Sequence, residues 1–236
     1  MSLSKLDMNN REENHVEESN GVDVSDNIHG EVTIITPPPS VTATSLLTKH
    51  HPLKHRWTLW FLNDKKNLEW TERLKQVCTF TSAEEFWSIY DNIRPPSCQV
   101  GCDYNLFKEG IEPMWEVPLN REGGRLVIVL ERKNSDLLDV MWLDLLLALI
   151  GEQFGKDTES ICGAVCNIRN KGSKISLWTT NSSDDDTNKR IGEVMKAQIV
   201  MPRCTPGSKP FVQIRYEDHK AVQQKTSSIV PVKFVL

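Results

Sequence analysis

At 236 residues the chain fits one domain with a tail, and its 39% hydrophobic and 25% charged content is ordinary for a soluble globular protein. The longest apolar run, 145–150, falls far short of the roughly 20 residues of a membrane span. Charges at Arg11, Glu12, Glu13, Glu17 and Glu18 interrupt any secretory leader, so a cytosolic protein with access to the nucleus is expected.

Residues 1–45 read as a disordered acidic tail. No Phe, Trp or Tyr precedes Trp57, and eight acids against Lys5 and Arg11 give this stretch a charge of −6. Its apolar surface is too small to offset the entropy of ordering. The whole chain carries −4, which leaves the expected domain, 46–236, near +2, a sign suited to an anionic ligand.

Residues 56–62 alternate and are rich in aromatics, which predicts a first strand. A loop over 63–68 leads to Trp70. Ser82-Ala-Glu-Glu85 has the spacing of a capping box and opens a helix with Phe86, Ile89 and Tyr90 on one face, stopped by Pro95 and Pro96. Residues 110–118 form a proline-bounded loop holding Trp115 and Glu116. Gly123-Gly124 then turns the chain into a strand over 126–130.

Asn134 or Ser135 caps a second helix that runs to about Ile150, with Gly151 as its stop. One stripe of it holds Leu138, Met141, Trp142, Leu145 and Leu149. The opposite side holds Val140, Leu143, Leu147 and Ile150, where a surface helix should be polar. The helix is therefore either buried on two sides or offers an apolar docking face. A hairpin follows, with strands over 164–169 and 174–180 and a turn at 170–173. Asp184, Asp185 and Asp186 cap a third helix bearing Ile191, Val194, Met195 and Ile199, and 210–216 reads as a late strand. Strands separated by single helices, with a glycine hairpin, make an α+β chain with an antiparallel sheet.

Without a secretory leader, an even count of six cysteines does not imply disulfides. Cys98 with Cys102 and Cys162 with Cys166 share a CxxxC spacing that invites a zinc reading. Four strand steps, however, put Cys162 roughly 13 Å from Cys166, too far for one ion. No metal and no cofactor is expected.

Seven tryptophans are the compositional oddity, and core packing must account for most of them. In the 164–180 hairpin, Cys166, Ile168, Ile175 and Leu177 take the core side. That leaves Arg169, Lys174 and Trp178 on the outer face, beside Lys171 in the turn. Basic groups near an exposed indole suit a phosphate and a base; a plain solvated basic face is the alternative. Trp115 sits where no regular element buries it, and the carboxylate of Glu116 could accept from the N1–H and exocyclic amine of a guanine. Trp70 supplies a second ring. Two indoles on one base contribute roughly 1–3 kcal/mol each. A base with positive charge, such as a methylated guanine, gains about 2 kcal/mol more by cation–π attraction when desolvated. The residue pattern alone does not bring Trp70 to Trp115.

The run His-Pro-Leu-Lys-His-Arg-Trp-Thr-Leu-Trp at 51–60, Glu85-Phe-Trp87, Gly110-Ile-Glu-Pro-Met-Trp-Glu116, residues 143–152, and Cys162-Gly-Ala-Val-Cys-Asn-Ile-Arg169 with Lys174-Ile-Ser-Leu-Trp178 occur in one order. In these, over about 46–236, the chain resembles the messenger-RNA cap-binding proteins of the translation initiation factor 4E family, as a class I-like paralogue. The resemblance implies a curved antiparallel sheet of about eight strands backed by three α-helices on its convex face. It implies binding of capped mRNA through 7-methylguanosine triphosphate, without catalysis. Trp70 and Trp115 would stack on the base, Glu116 read its edge and Trp178 lie against the N7-methyl group. Arg169 and Lys174 would contact the triphosphate, with Arg125 and Lys171 as weaker contacts. Leu126 departs from the pattern, standing where most members carry tryptophan; a local core change is expected there, with binding retained.

The resemblance also accounts for the two-sided helix. Family members bind the initiation factor 4G scaffold and 4E-binding proteins on the convex side, through a Tyr-x-x-x-x-Leu-apolar segment that folds as a helix in a groove. The matching positions here are His51, Pro52, Trp87, Leu143, Asp144, Leu147 and Gly151, with Ala83 in place of the usual valine. The alternative is a face covered by the protein's own tail. Ser227 and Ser228 match a region where members are phosphorylated, and negative charge there would repel a triphosphate.

The expected role is recruitment of the scaffold to capped message in the cytoplasm, with presence in the nucleus or RNA granules also open, and no membrane partner. The alternative is a cap-binding repressor or adaptor that does not engage the scaffold. An enzyme would need clustered carboxylates or a positioned base and nucleophile, and the tight acidic cluster 184–186 reads as a helix cap.

Overall fold

Among the described residues, eight strands form one curved antiparallel sheet in the order β2-β1-β3-β5-β6-β4-β7-β8. In chain order they are β1 (Pro52–Leu62), β2 (Leu74–Ser82), β3 (Asp103–Lys108), β4 (Gly124–Glu131), β5 (Ile161–Asn167), β6 (Gly172–Thr179), β7 (Ile214–Asp218) and the two-residue β8 (Phe234–Val235). The computed structural model describes residues 50–65, 67–224 and 230–236. The tail expected over 1–45, and Ser227 and Ser228, lie outside the described residues.

Three strands, β2, β3 and β8, went unread in the sequence pattern, and β1 begins four residues earlier than its alternation indicated. The late strand starts at Ile214 instead of 210. Pro210 has no N–H to give a ladder, and the pairs Arg125 with Glu217 and Gly124 with Asp218 place β7 further along the chain. At the β5–β6 hairpin Gly172 has φ of 138°, a conformation suited to glycine.

The helices are α1 (Trp70–Arg73), α2 (Ala83–Tyr90), α3 (Pro118–Arg121), α4 (Leu138–Ile150), α5 (Asp185–Met195) and α6 (His219–Gln223). Ser82 Oγ accepts from the Glu85 N–H at 3.2 Å, the expected cap of α2. The Glu85 carboxylate reaches back over the cap, accepting from the N–H and hydroxyl of Thr81 at 2.6 and 3.0 Å. The second long helix starts at Leu138, later than its expected caps. A 3-10 stretch, Arg132–Leu137, comes first, and Asn134 within it leaves helical geometry at φ −115°. Asp184 caps α5 by accepting from the Thr187 N–H at 3.1 Å, and a π-turn, Lys196–Val200, carries Ile199 and Val200 into the core.

One face of the sheet packs on α2, α4 and α5. Leu59, Leu106, Ala164, Ile175, Leu177 and Ile128 meet Phe86, Trp142, Leu145, Leu149, Ile191 and Met195 in a single cluster. Each large apolar side chain fully buried here contributes roughly 1.5–3 kcal/mol. Leu126 belongs to this cluster, and a Cβ on Gly192 of α5 would lie 3.1 Å from its Cδ2, so helix and strand approach closely at this point. The supposed outer side of α4 is only partly open: Ile150 is buried, Leu143 and Leu147 are half-buried and Val140 is exposed.

The other face carries a second, smaller cluster of Phe107, Ile111, Cys162, Val165 and Trp178. A register shift between Ile161 and Gly163 breaks the strand period and brings Cys162 to the same side as Val165. A Cβ on Gly163 would sit 2.5 Å from the Phe107 ring, so only glycine lets β5 pass this close. Burial pushes the Cys162 thiol up to about 12 and that of Cys166 well above its ordinary value. Among the described residues no three His, Cys, Asp or Glu gather to hold a metal, and no helix is long and apolar enough to cross a membrane.

Candidate functional site

Beside the second cluster opens a cavity of about 310 Å³. Trp70, Trp115, Glu116, Arg125 and Trp178 all line it, so the structure gathers these five sequence-predicted residues from α1, the loop before α3, β4 and β6. Asp103, Asn105, Pro113, Met114, Val165 and Asn167 complete the wall and were missed. A signal for two of them existed: Asp103 and Asn105 alternate with the core residues Tyr104 and Leu106, which marks polar groups on the inner face of a central strand.

Trp70, to which the expected loop over 63–68 leads, begins the single turn of α1 and is 41% exposed. The connection that carries it is tied at its base. Arg73 Nε and Nη2 donate to the Asn63 carbonyl at 2.9 and 2.7 Å, and the Asn63 N–H donates to the Arg73 carbonyl at 3.3 Å. The Glu69 N–H donates to the Glu72 carboxylate at 3.1 Å, closing the turn.

Trp115 is half-buried and Glu116 is exposed. Their loop is held by Asn120, which is buried and donates its side-chain amide to the carbonyls of Glu112 and Met114 at 2.9 and 2.8 Å. Arg121 Nη2 donates to the Glu116 carbonyl at 2.9 Å. The ring parallel to Trp115 belongs to His219, with centroids 5.8 Å apart and planes 5° apart. Nothing in the sequence pattern pointed to His219. Burial first, and nearby Arg125 in addition, push its imidazole down to about 4, against the opposing bond to Asn120.

Trp178 is not the exposed indole that alternation implied: it is 4% exposed. It meets Phe107 edge-on at 5.4 Å and His219 at 4.4 Å, and Trp115 and Val117 pack against the cluster it joins. The loop before α3 and the start of α6 cover a face that a lone hairpin would expose.

The basic groups divide. Arg125 lines the cavity with its guanidinium carbon 5.6 Å from the Trp115 ring centroid, while its Nε and Nη2 engage the largely buried Glu217 carboxylate at 2.9 and 2.8 Å. Arg169 Nη1 donates to Asp103 Oδ1 at 2.5 Å and to the Cys102 and Ile168 carbonyls at 3.0 and 2.9 Å, and so reaches the cavity wall through Asp103. Lys174 is the cross-strand neighbour of the wall residue Asn167, and Lys171 stands exposed in the turn.

On the convex side the Ala83 N–H donates to the His51 carbonyl at 3.0 Å and Pro52 pairs with Ser82, which joins the start of β1 to α2. His51 Nδ1 lies 2.6 Å from Glu84, and this contact holds the Glu84 carboxyl down at about 2. Trp87 is 40% exposed and edge-on to Phe86 and Tyr90. Asp144, on α4 with Leu143 and Leu147, is salt-bridged to Arg203; burial raises its carboxyl despite that partner. Gly151 ends α4, its N–H donating to the Leu147 carbonyl at 2.9 Å.

Comparison with known proteins places these features in context. Residues 52–231 match the family model described as eukaryotic initiation factor 4E. The Caenorhabditis elegans eukaryotic translation initiation factor 4E-1 is 55% identical over 189 residues, 79% of this chain and 89% of that protein. The solved structure of Ascaris suum eIF4E-3 with the m2,2,7G cap is 45% identical with a TM-score of 0.70, covering 79% of this chain and 98% of the other. That of C. elegans eIF4E-3 with the 4E-binding protein Mextli and a cap analog is 42% identical at a TM-score of 0.69, covering 79% and 99%.

Proposed function

The chain belongs to the eukaryotic initiation factor 4E family, and from that premise we propose how its cavity and convex face work. The protein binds the 7-methylguanosine cap of mRNA and recruits the initiation factor 4G scaffold for cap-dependent translation, a binding role without catalysis. The observation that carries the site assignment is one cavity shared by two partly exposed indoles, a carboxylate and an arginine.

In this reading the base enters between Trp70 and Trp115. Stacking on each indole contributes roughly 1–3 kcal/mol, and the positive charge of the N7-methylated ring adds cation–π attraction that plain guanine lacks. The Glu116 carboxylate accepts from N1–H and the exocyclic amine. Trp178, in the cavity wall, takes the side of the methyl group. Arg169 and Lys174 hold the triphosphate, with Arg125 and Lys171 nearby. Arg125 has the weaker claim, since Glu217 already engages two of its nitrogens.

The second site is the convex groove of His51, Pro52, Trp87, Leu143, Asp144, Leu147 and Gly151, which would take the helical Tyr-x-x-x-x-Leu-apolar segment of the scaffold or of 4E-binding proteins. The exposed Trp87 indole and half-buried Leu143 and Leu147 support this. Fluorescence titration with 7-methyl-GTP and GTP tests the first site. Strong quenching by the methylated nucleotide alone is expected, and equal responses to the two would sink the assignment.

A further inference from the structure

We infer that His219 is a positioning residue for Trp115, holding the indole in the plane in which it meets its ligand. The inference rests on assigning the cavity to the cap nucleotide. The imidazole is fully buried and backs the indole in a parallel, offset arrangement. A carbonyl only accepts, so the 2.7 Å contact between Nδ1 and the Asn120 carbonyl places the ring proton on Nδ1 and sets the rotation of the ring. The His219 N–H donates to the Gly123 carbonyl at 3.1 Å, which anchors the backbone as well.

Asn120 in turn grips the loop on the Glu112 and Met114 carbonyls, immediately before Trp115. One buried side chain therefore restrains Trp115 twice, by ring contact and through the residue that ties the loop. A half-buried indole on an unsupported loop populates several rotamers, and affinity falls with the fraction that is competent. Burial also keeps the imidazole neutral, so His219 adds no second cation to the Arg125 guanidinium that already lies 5.6 Å from the Trp115 ring centroid.

Two variants separate the ring from the bond. His219→Phe keeps an aromatic face without a donor; His219→Gln keeps a donor without a ring. Thermal midpoints establish that both fold, with His219→Leu replacing the glutamine variant should that one not. Each is titrated with 7-methyl-GTP and GTP, and the Trp115 resonance of 5-fluorotryptophan-labelled protein is followed by 19F NMR. His219→Phe should bind 7-methyl-GTP within about threefold of wild type, and His219→Gln about tenfold more weakly, with a broadened Trp115 line in the free protein that sharpens on ligand addition. Equal affinities for the two variants, strong or weak alike, or an unchanged Trp115 line, would overturn the inference. A wild-type chain that did not distinguish 7-methyl-GTP from GTP would instead remove the reading of the cavity itself.

Discussion

Arg169 and Asp103 stand 66 residues apart in the chain and meet at 2.5 Å, the carboxylate nearly buried and the guanidinium half exposed. The carboxylate fixes the guanidinium from the interior side, where carbonyls of Cys102 and Ile168 also hold it. A cation held this way needs little reorganisation to meet an anion. Asp103→Asn removes a charge-assisted contact worth about 1 kcal/mol in orientation, so 7-methyl-GTP should bind about fivefold more weakly. The bare nucleoside 7-methylguanosine should be unaffected. Parallel titrations with the two ligands check this, and equal losses would argue that Asp103 acts on the base.

Salt dependence separates phosphate contacts from stacking. Raising ionic strength should weaken 7-methyl-GTP much more than 7-methylguanosine, because in the proposed site only the triphosphate draws on Arg169 and Lys174. Titration of both ligands at a series of salt concentrations gives the two slopes. In Arg169→Gln the slope for the triphosphate should become shallower.

Three tryptophans should separate three roles. Trp115→Ala should weaken 7-methyl-GTP at least about hundredfold, from lost stacking and cation–π attraction together, and leave partner-peptide binding intact. Trp87→Ala should do the reverse, since its exposed indole lies on the other side of the sheet. Trp178→Ala should lower global stability by about 3–5 kcal/mol, because that ring is part of the second core. Cap-resin retention, peptide pulldown and chemical denaturation, run on all three variants, read these outcomes.

The buried imidazole predicts a pH dependence of stability. Unfolded His219 titrates near the ordinary 6.5 and folded His219 near about 4. Between these values the unfolded chain takes up a proton that the folded chain refuses, so stability falls as pH drops from 6.5 towards 4 and this contribution is flat below. The full effect is about 3 kcal/mol. Urea midpoints of wild type and His219→Phe at pH 7 and pH 4.5 isolate it. The variant should lose less stability on acidification, and identical losses would contradict a neutral buried histidine.

Local chemistry made much of this molecule readable. The aromatic alternation of β1, the Ser82 and Asp184 caps, the Gly151 stop and the β5–β6 hairpin each depend on residues within a few positions of one another. Boundaries were less legible where neighbours decide them. The start of α4 was misplaced because the 3-10 stretch before it has no local signature, and β7 was misplaced because its pairing with β4 sets its register. Leu143 and Leu147 were recognised as unusual from periodicity alone, while the burial of Ile150 depends on what packs beside it.

Amino-acid order alone determined the family resemblance, the α+β class and the identity of the residues suited to a base and its phosphates, because residue type and short-range periodicity carry those properties. Tertiary structure decided which tryptophans meet solvent and which stay inside, turning Trp178 from an outer-face indole into a cavity wall. It also decided that Asp103 holds Arg169 and that His219 backs Trp115. Those contacts join positions 66 and 104 residues apart, and only the order of strands in the sheet brings such distant positions within bonding distance.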